Sequence, residues 1–168
     1  MAKRRWSRIL NRRPKVGLAL SGGAARGQAH VGVIKVLAEH GIPIDCVAGT
    51  SAGSFAGALF CAGLGWQEIS QQLGKTQWGD LVRPQFNSMG LINSEKLERH
   101  VSGLISGKNF SELDIPLGIV AVDIIEGEEI VFNSGSVARA VRASSSIPGI
   151  FAPVEWEGRL LVDGGVRN

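Results

Sequence analysis

Cysteine is scarce in this chain, and the two that occur, Cys46 and Cys61, both sit in apolar runs without metal-ligand spacing. That excludes a disulfide framework and reads both thiols as reduced core residues of an intracellular protein. The one Gly-Lys-Thr, Gly74-Lys75-Thr76, has Ile69 where the P-loop pattern needs its first glycine, so a P-loop is excluded. No uninterrupted apolar stretch reaches the length of a membrane span, and no apolar h-region follows the N-terminal cations, so the leader is not a secretory signal. Internal repeats and low-complexity tracts are lacking as well. Acid is missing from the first fifteen residues, which carry Lys3, Arg4, Arg5, Arg8, Arg12, Arg13 and Lys15 and leave 11 basic against 15 acidic residues beyond.

What remains is the composition of one globular domain. The 168 residues, 44% hydrophobic and 20% charged, suffice to bury roughly 70% of the unfolded surface. Two parts are expected: a basic leader over 1–14 and a single domain over 15–168. Trp6, Ile9 and Leu10 within the leader open two readings, an anionic membrane surface or a solvated, disordered tail. Nucleic acid is not expected, since the only cationic block has a single aromatic residue. The expected location is cytoplasmic, with peripheral contact at the inner membrane surface as the leader's membrane reading.

Periodicity predicts alternating strands and helices. The run over 16–20 reads as a strand buried on both faces, followed by a helix over 25–40 that Gly41-Ile42-Pro43 ends. A second strand over 44–48 completes a βαβ unit, and an apolar helix runs to Cys61. Residues 64–90 read as irregular, with short helices and a flap over the site. A helix over 93–105, a strand pair over 117–125 and 129–132, a helix over 137–143 and a hairpin over 154–156 and 159–162 complete the order.

Three stretches carry chemistry. Gly49-Thr50-Ser51-Ala52-Gly53 lies at a strand-to-helix junction, where a G-x-S-x-G turn lifts a serine Oγ out of the backbone. Ser51 is therefore a candidate nucleophile; the competing reading is a helix cap. Ser21-Gly22-Gly23-Ala24-Ala25-Arg26-Gly27 follows the first strand, and its small residues leave backbone N–H groups free for a phosphate or a developing oxyanion. A dinucleotide fingerprint fits poorly, because Ala24 stands where its second glycine belongs and Asp45 starts the second strand instead of ending it. Asp163-Gly164-Gly165 follows an apolar strand, so Asp163 is either a base for Ser51 or a turn residue. A Ser–acid–His triad is disfavoured because none of His30, His40 and His100 follows Asp163. His100 reads as a solvated helix residue, His40 as a helix C-terminal contact, and His30, near the glycine loop, as a minor candidate for a place behind the reacting groups.

In this order the motifs resemble the patatin-like phospholipase family. The resemblance rests on residues 20–27, 29–33, 49–53 and 163–165, with Arg142-Ala143-Ser144-Ser145-Ser146-Ile147-Pro148-Gly149 and Phe151-Ala152-Pro153-Val154 approaching the aspartate as in the family. It implies a three-layer α/β/α sandwich with a mainly parallel central sheet. It also implies a Ser-Asp dyad that hydrolyses carboxyl esters of lipids, such as phospholipid or lysophospholipid acyl esters, without metal or cofactor. By that resemblance Ser51 is the nucleophile, Asp163 the base, and the backbone of Gly22, Gly23 and Ala24 the oxyanion hole. Gly27, Gly49, Gly53, Gly164 and Gly165 support the turns, and Arg26 either fixes the loop, holds substrate charge or is simply solvated. Family members continue well past Asp-Gly-Gly, so the sequence also admits a shortened, weakly active or inactive domain that binds lipid or a partner.

Overall fold

The computed structural model describes residues 13–75 and 93–167. Strands β1 (Gly17–Leu20), β2 (Cys46–Thr50), β3 (Leu117–Asp123), β4 (Glu128–Phe132), β5 (Val154–Trp156) and β6 (Arg159–Asp163) form one mixed sheet. Helices α1 (Gln28–Glu39), α2 (Ala52–Cys61), α3 (Trp66–Lys75), α4 (Glu95–Leu104) and α5 (Val137–Ser144) accompany it. This is the expected α/β fold. β1, β2 and β3 pair in parallel, and β4, β6 and β5 extend the sheet through antiparallel ladders.

The ladders fix an arrangement that bears on the site. Val120 of β3 is flanked by Thr50 and Val131, and the next residue, Ala121, by Asp163 and Ile130. Because β4 runs continuously along one side of β3, β2 and β6 must share the other side. They approach from opposite directions and stop at adjacent rungs. The ends of two strands distant in sequence therefore abut, and each delivers one candidate catalytic residue.

The core lies on the face that α2 and α5 cover. Phe55 and Leu59 of α2, Val137 and Val141 of α5, and Val47, Leu117 and Ile119 of the sheet share one buried cluster. Strand order advances β1, β2, β3 without reversal, so two right-handed crossovers place their helices on the same face. On the opposite face Gly17, Ala19, Cys46 and Ala48 are exposed. Among the described residues the sandwich thus comprises the sheet and a helical layer on one face, with no helix packed on the other.

Several local expectations need correction. β1 is an edge strand exposed at alternate positions, so its apolar run is not buried on both faces. Cys46 is exposed, whereas Cys61 is buried and its thiol is pushed up to about 12 by that burial. β2 begins two residues later than expected, and the carboxylate of Asp45 just before it is held on two sides. Arg13 grips its carboxylate at 2.6 and 2.8 Å and the Val16 N–H donates at 2.7 Å, holding Asp45 down at about 2. Within the stretch 64–90, expected to be irregular with short helices, residues 66–75 form the helix α3. Of the stretch 64–90 expected to carry a flap, residues 76–90 lie outside the described residues, as do residues 1–12 of the leader 1–14 and with them its membrane reading. Among the described residues no helix is long and apolar enough to cross a membrane.

Candidate active site

β2 runs straight into Ser51, which turns the chain into α2 with φ 51° and ψ −120°. A non-glycine residue in that region costs about 1–3 kcal/mol and persists only when its surroundings over-determine it. Two glycines make the turn sterically feasible. A Cβ on Gly49 would lie 2.6 Å from the Gly53 carbonyl oxygen, and one on Gly53 would run into the Leu20 carbonyl. The helix start is thereby packed directly against the ends of β1 and β2.

Asp163 ends β6, and its Oδ2 accepts the Ser51 hydroxyl at 2.6 Å across 112 residues of chain. Both side chains are buried, Ser51 at 7% and Asp163 at 6% exposure. Burial pushes the Asp163 carboxyl upward, and hydrogen bonds from Ser51 and the Gly165 N–H partly oppose that rise. The Gly165 N–H donates to Oδ1 at 2.8 Å, so each carboxylate oxygen has one donor. Gly164 allows this approach: a Cβ there would lie 2.5 Å from the Val120 carbonyl oxygen.

The glycine loop completes the cleft. Ser21, Gly22, Gly23, Ala24, Ser51, Ile147, Asp163, Gly165 and Val166 enclose about 410 Å³. A Cβ on Gly22 would sit 3.4 Å from the Ser51 Cβ, so the loop backbone runs beside the serine. Gly27 lies close against Ala52, where a Cβ would come within 2.9 Å. Ala24 is held at φ 47°, a left-handed conformation that a methyl group disfavours. The Arg26 N–H closes the loop on the Gly23 carbonyl at 2.9 Å. The Arg26 side chain is exposed and makes no ion pair among the described residues.

The structure brings Ser51, Asp163, Gly22, Gly23 and Ala24 together and sorts the histidines. His30 Nε2 lies 2.8 Å from the Ser21 carbonyl, so it braces the loop. His40 Nδ1 meets the Val36 carbonyl at the end of α1. The solvated reading of His100 is corrected: its ring stacks on Phe55 and its Nε2 is buried, because the helix face that carries it turns toward α2. Among the described residues no group of His, Cys, Asp and Glu could hold a metal ion.

Sequence reasoning passed over the serines around Ser51. Ser144 Oγ accepts the Ser51 N–H at 2.8 Å, and Ser54 Oγ donates to the Ser51 carbonyl at 2.6 Å. The Ser146 carbonyl accepts the Asp163 N–H at 2.9 Å. For Ser144 and Ser146 the only signal was their place in the segment resembling the family's approach to its aspartate.

Residues 18–168 match the family model described as patatin-like phospholipase. An uncharacterized NTE family protein of Mycobacterium bovis is 37% identical over 157 residues, covering 92% of this chain and 44% of its own length. The neuropathy target esterase sws of Drosophila persimilis is 32% identical over 161 residues, covering 91% of this chain and 11% of its own. The chain therefore spans less than half the length of these relatives. VipD from Legionella pneumophila superposes with a TM-score of 0.77 at 15% identity, over 92% of this chain and 46% of that one. The type III effector ExoU superposes at 0.66 and 18% identity, over 82% and 41%. At those identities the two structures speak for the fold alone. With a family match that reaches from β1 through the Asp-Gly-Gly turn, and relatives of this identity along nearly the whole chain, the protein belongs to the patatin-like phospholipase family.

Proposed function

We propose that this chain is a serine acyl hydrolase that cleaves carboxyl esters of lipids, with Ser51 as nucleophile and Asp163 as its base. The observation that carries the reading is the 2.6 Å hydrogen bond from a buried serine hydroxyl, strained out of its turn, to a buried carboxylate in an open cleft. Ser51 Oγ attacks the ester carbonyl as its proton passes to Asp163. The carboxyl is suited to that task because burial raises its proton affinity above that of an ordinary carboxylate.

The N–H groups of Gly22, Gly23 and Ala24 are assigned to the oxyanion of the tetrahedral intermediate. They belong to the loop running beside Ser51, and among the described residues those of Gly22 and Gly23 have no hydrogen-bond acceptor. Proton return from Asp163 to the leaving alkoxide releases the alcohol. Water then attacks the acyl-enzyme, giving its proton to Asp163, and the carboxylic acid leaves as Ser51 is reprotonated. Ile147 and Val166 line the cleft beside the polar groups and suit it to an acyl chain.

Labelling with a fluorophosphonate probe tests this whichever ester is the substrate, because the probe reacts with any activated serine. The purified protein is expected to label at one site, with labelling lost in Ser51→Ala and strongly slowed in Asp163→Asn. A folded wild-type protein that does not label would sink the proposal.

A further inference from the structure

We infer that Ser144, at the end of α5, is a positioning residue that holds the Ser51 backbone in the geometry required for attack. The inference rests on the reading of Ser51 as nucleophile. It starts from the junction of β2 and β6, where two strands stop on adjacent rungs of β3 and the chain at Ser51 and Asp163 leaves the sheet. The segment 144–146 serves both strand ends. The Ser144 hydroxyl accepts from the Ser51 N–H at 2.8 Å and donates to the Val120 carbonyl at 2.6 Å, on the rung beside Thr50. Two residues on, the Ser146 carbonyl accepts from the Asp163 N–H.

Ser144 is fully buried, so water cannot take over its two hydrogen bonds. It is also directional: with its proton committed to Val120, its lone pair faces the Ser51 N–H. That N–H belongs to the residue at φ 51°, where the backbone has the least intrinsic preference for its conformation. The carbonyl side of Ser51 is less dependent on a single group, since Ser54 Oγ and the Phe55 N–H both donate to it. The clamp itself is anchored: Ser146 Oγ donates to the Arg142 carbonyl, and the Arg142 side chain reaches Ser94 Oγ, just ahead of α4, at 3.1 Å and Glu98 on α4 at 2.9 Å.

The test measures two quantities for Ser144→Ala: the second-order rate of fluorophosphonate labelling and the fraction of molecules labelled at completion. Positioning predicts full labelling at completion, with a rate about 10- to 100-fold below wild type, as expected for a nucleophile displaced by up to about 1 Å. The pH profile of the rate should keep its wild-type midpoint, because Asp163 is untouched. Ser54→Ala should stay within about 3-fold, as the Phe55 N–H still holds the carbonyl.

A wild-type rate in Ser144→Ala, or a reduced final fraction at an unchanged rate, overturns the inference and leaves a structural role only. If Ser144→Ala does not fold, Ser144→Cys, which fills the site with a slightly larger atom but bonds weakly, is judged by the same two numbers. Failure of the wild-type protein to label removes the nucleophile reading itself, a result distinct from normal labelling in the variant.

Discussion

The two halves of the site are held in opposite ways. Ser51 and Asp163 are buried, and the backbone of each is tied by the 144–146 segment to a strand junction. The glycine loop, by contrast, exposes Ser21, Gly23, Ala24 and Arg26, and rests on the Arg26 N–H and the half-buried His30. Proton transfer between two groups tolerates little positional error. A loop that must meet a substrate carbonyl can be carried by fewer contacts and adjust as the ester arrives. The contrast predicts that damage on the dyad side is severe and damage on the loop side is graded.

The largest effect tests the dyad. Asp163→Asn should slow labelling by about 10²–10⁴-fold, the usual range for losing a general base. The same change should not destabilise the fold at neutral pH. A carboxyl whose folded pKa is raised favours folding below its unfolded value, and that contribution is lost as pH rises through the folded value. At pH 7 the buried carboxylate is therefore held at a cost that Asn removes. Urea midpoints for Asp163→Asn at or above wild type at pH 7, with the gap closing in acid, are expected; a lower midpoint at pH 7 would contradict the burial argument.

Next in size is steric damage to the turn. Gly53→Ala drives a methyl group into the Leu20 carbonyl, and Gly164→Ala crowds the Val120 carbonyl that also receives Ser144. Overpacking of this kind costs about 1–3 kcal/mol, and because backbone is the obstacle the upper end is expected. Denaturant unfolding measures it, and near-neutral values would show that the strand junction can relax.

A smaller effect concerns pH. The acid limb of the labelling rate should lie above the ordinary aspartate value of about 3.9, in keeping with the raised Asp163 carboxyl. A midpoint at or below that value would remove Asp163 as the base. The smallest effect belongs to the loop: His30→Ala should slow labelling by about 2- to 10-fold, the worth of one hydrogen bond, with the thermal midpoint nearly unchanged. A loss as large as that of Asp163→Asn would abolish the contrast between the two halves.

Most of the elements could be read from the chain, because strands and helices here follow local periodicity and glycine-bounded turns. Helix α5 and the hairpin of β5 and β6 fall within a residue of expectation. The misses share one cause: burial depends on what packs against a residue. The apolar run of β1 resembles a central strand but occupies an edge, and Cys46 looks like core although no described helix covers its face. His100 looks solvated beside its charged neighbours, yet α4 turns it onto Phe55.

For the candidate site the division is similar. G-x-S-x-G, the glycine loop and Asp-Gly-Gly are written in short stretches because each is a local backbone requirement: a strained turn, close approach of chains, a turn after a strand. That Ser51 and Asp163 meet, 112 residues apart, depends on β2 and β6 ending against each other on one side of β3. Strand pairing is non-local, and no residue type announces which rung a strand will stop at. The Ser144 clamp has the same origin, since its hydroxyl gains partners only where that junction leaves a backbone N–H and a carbonyl within its reach.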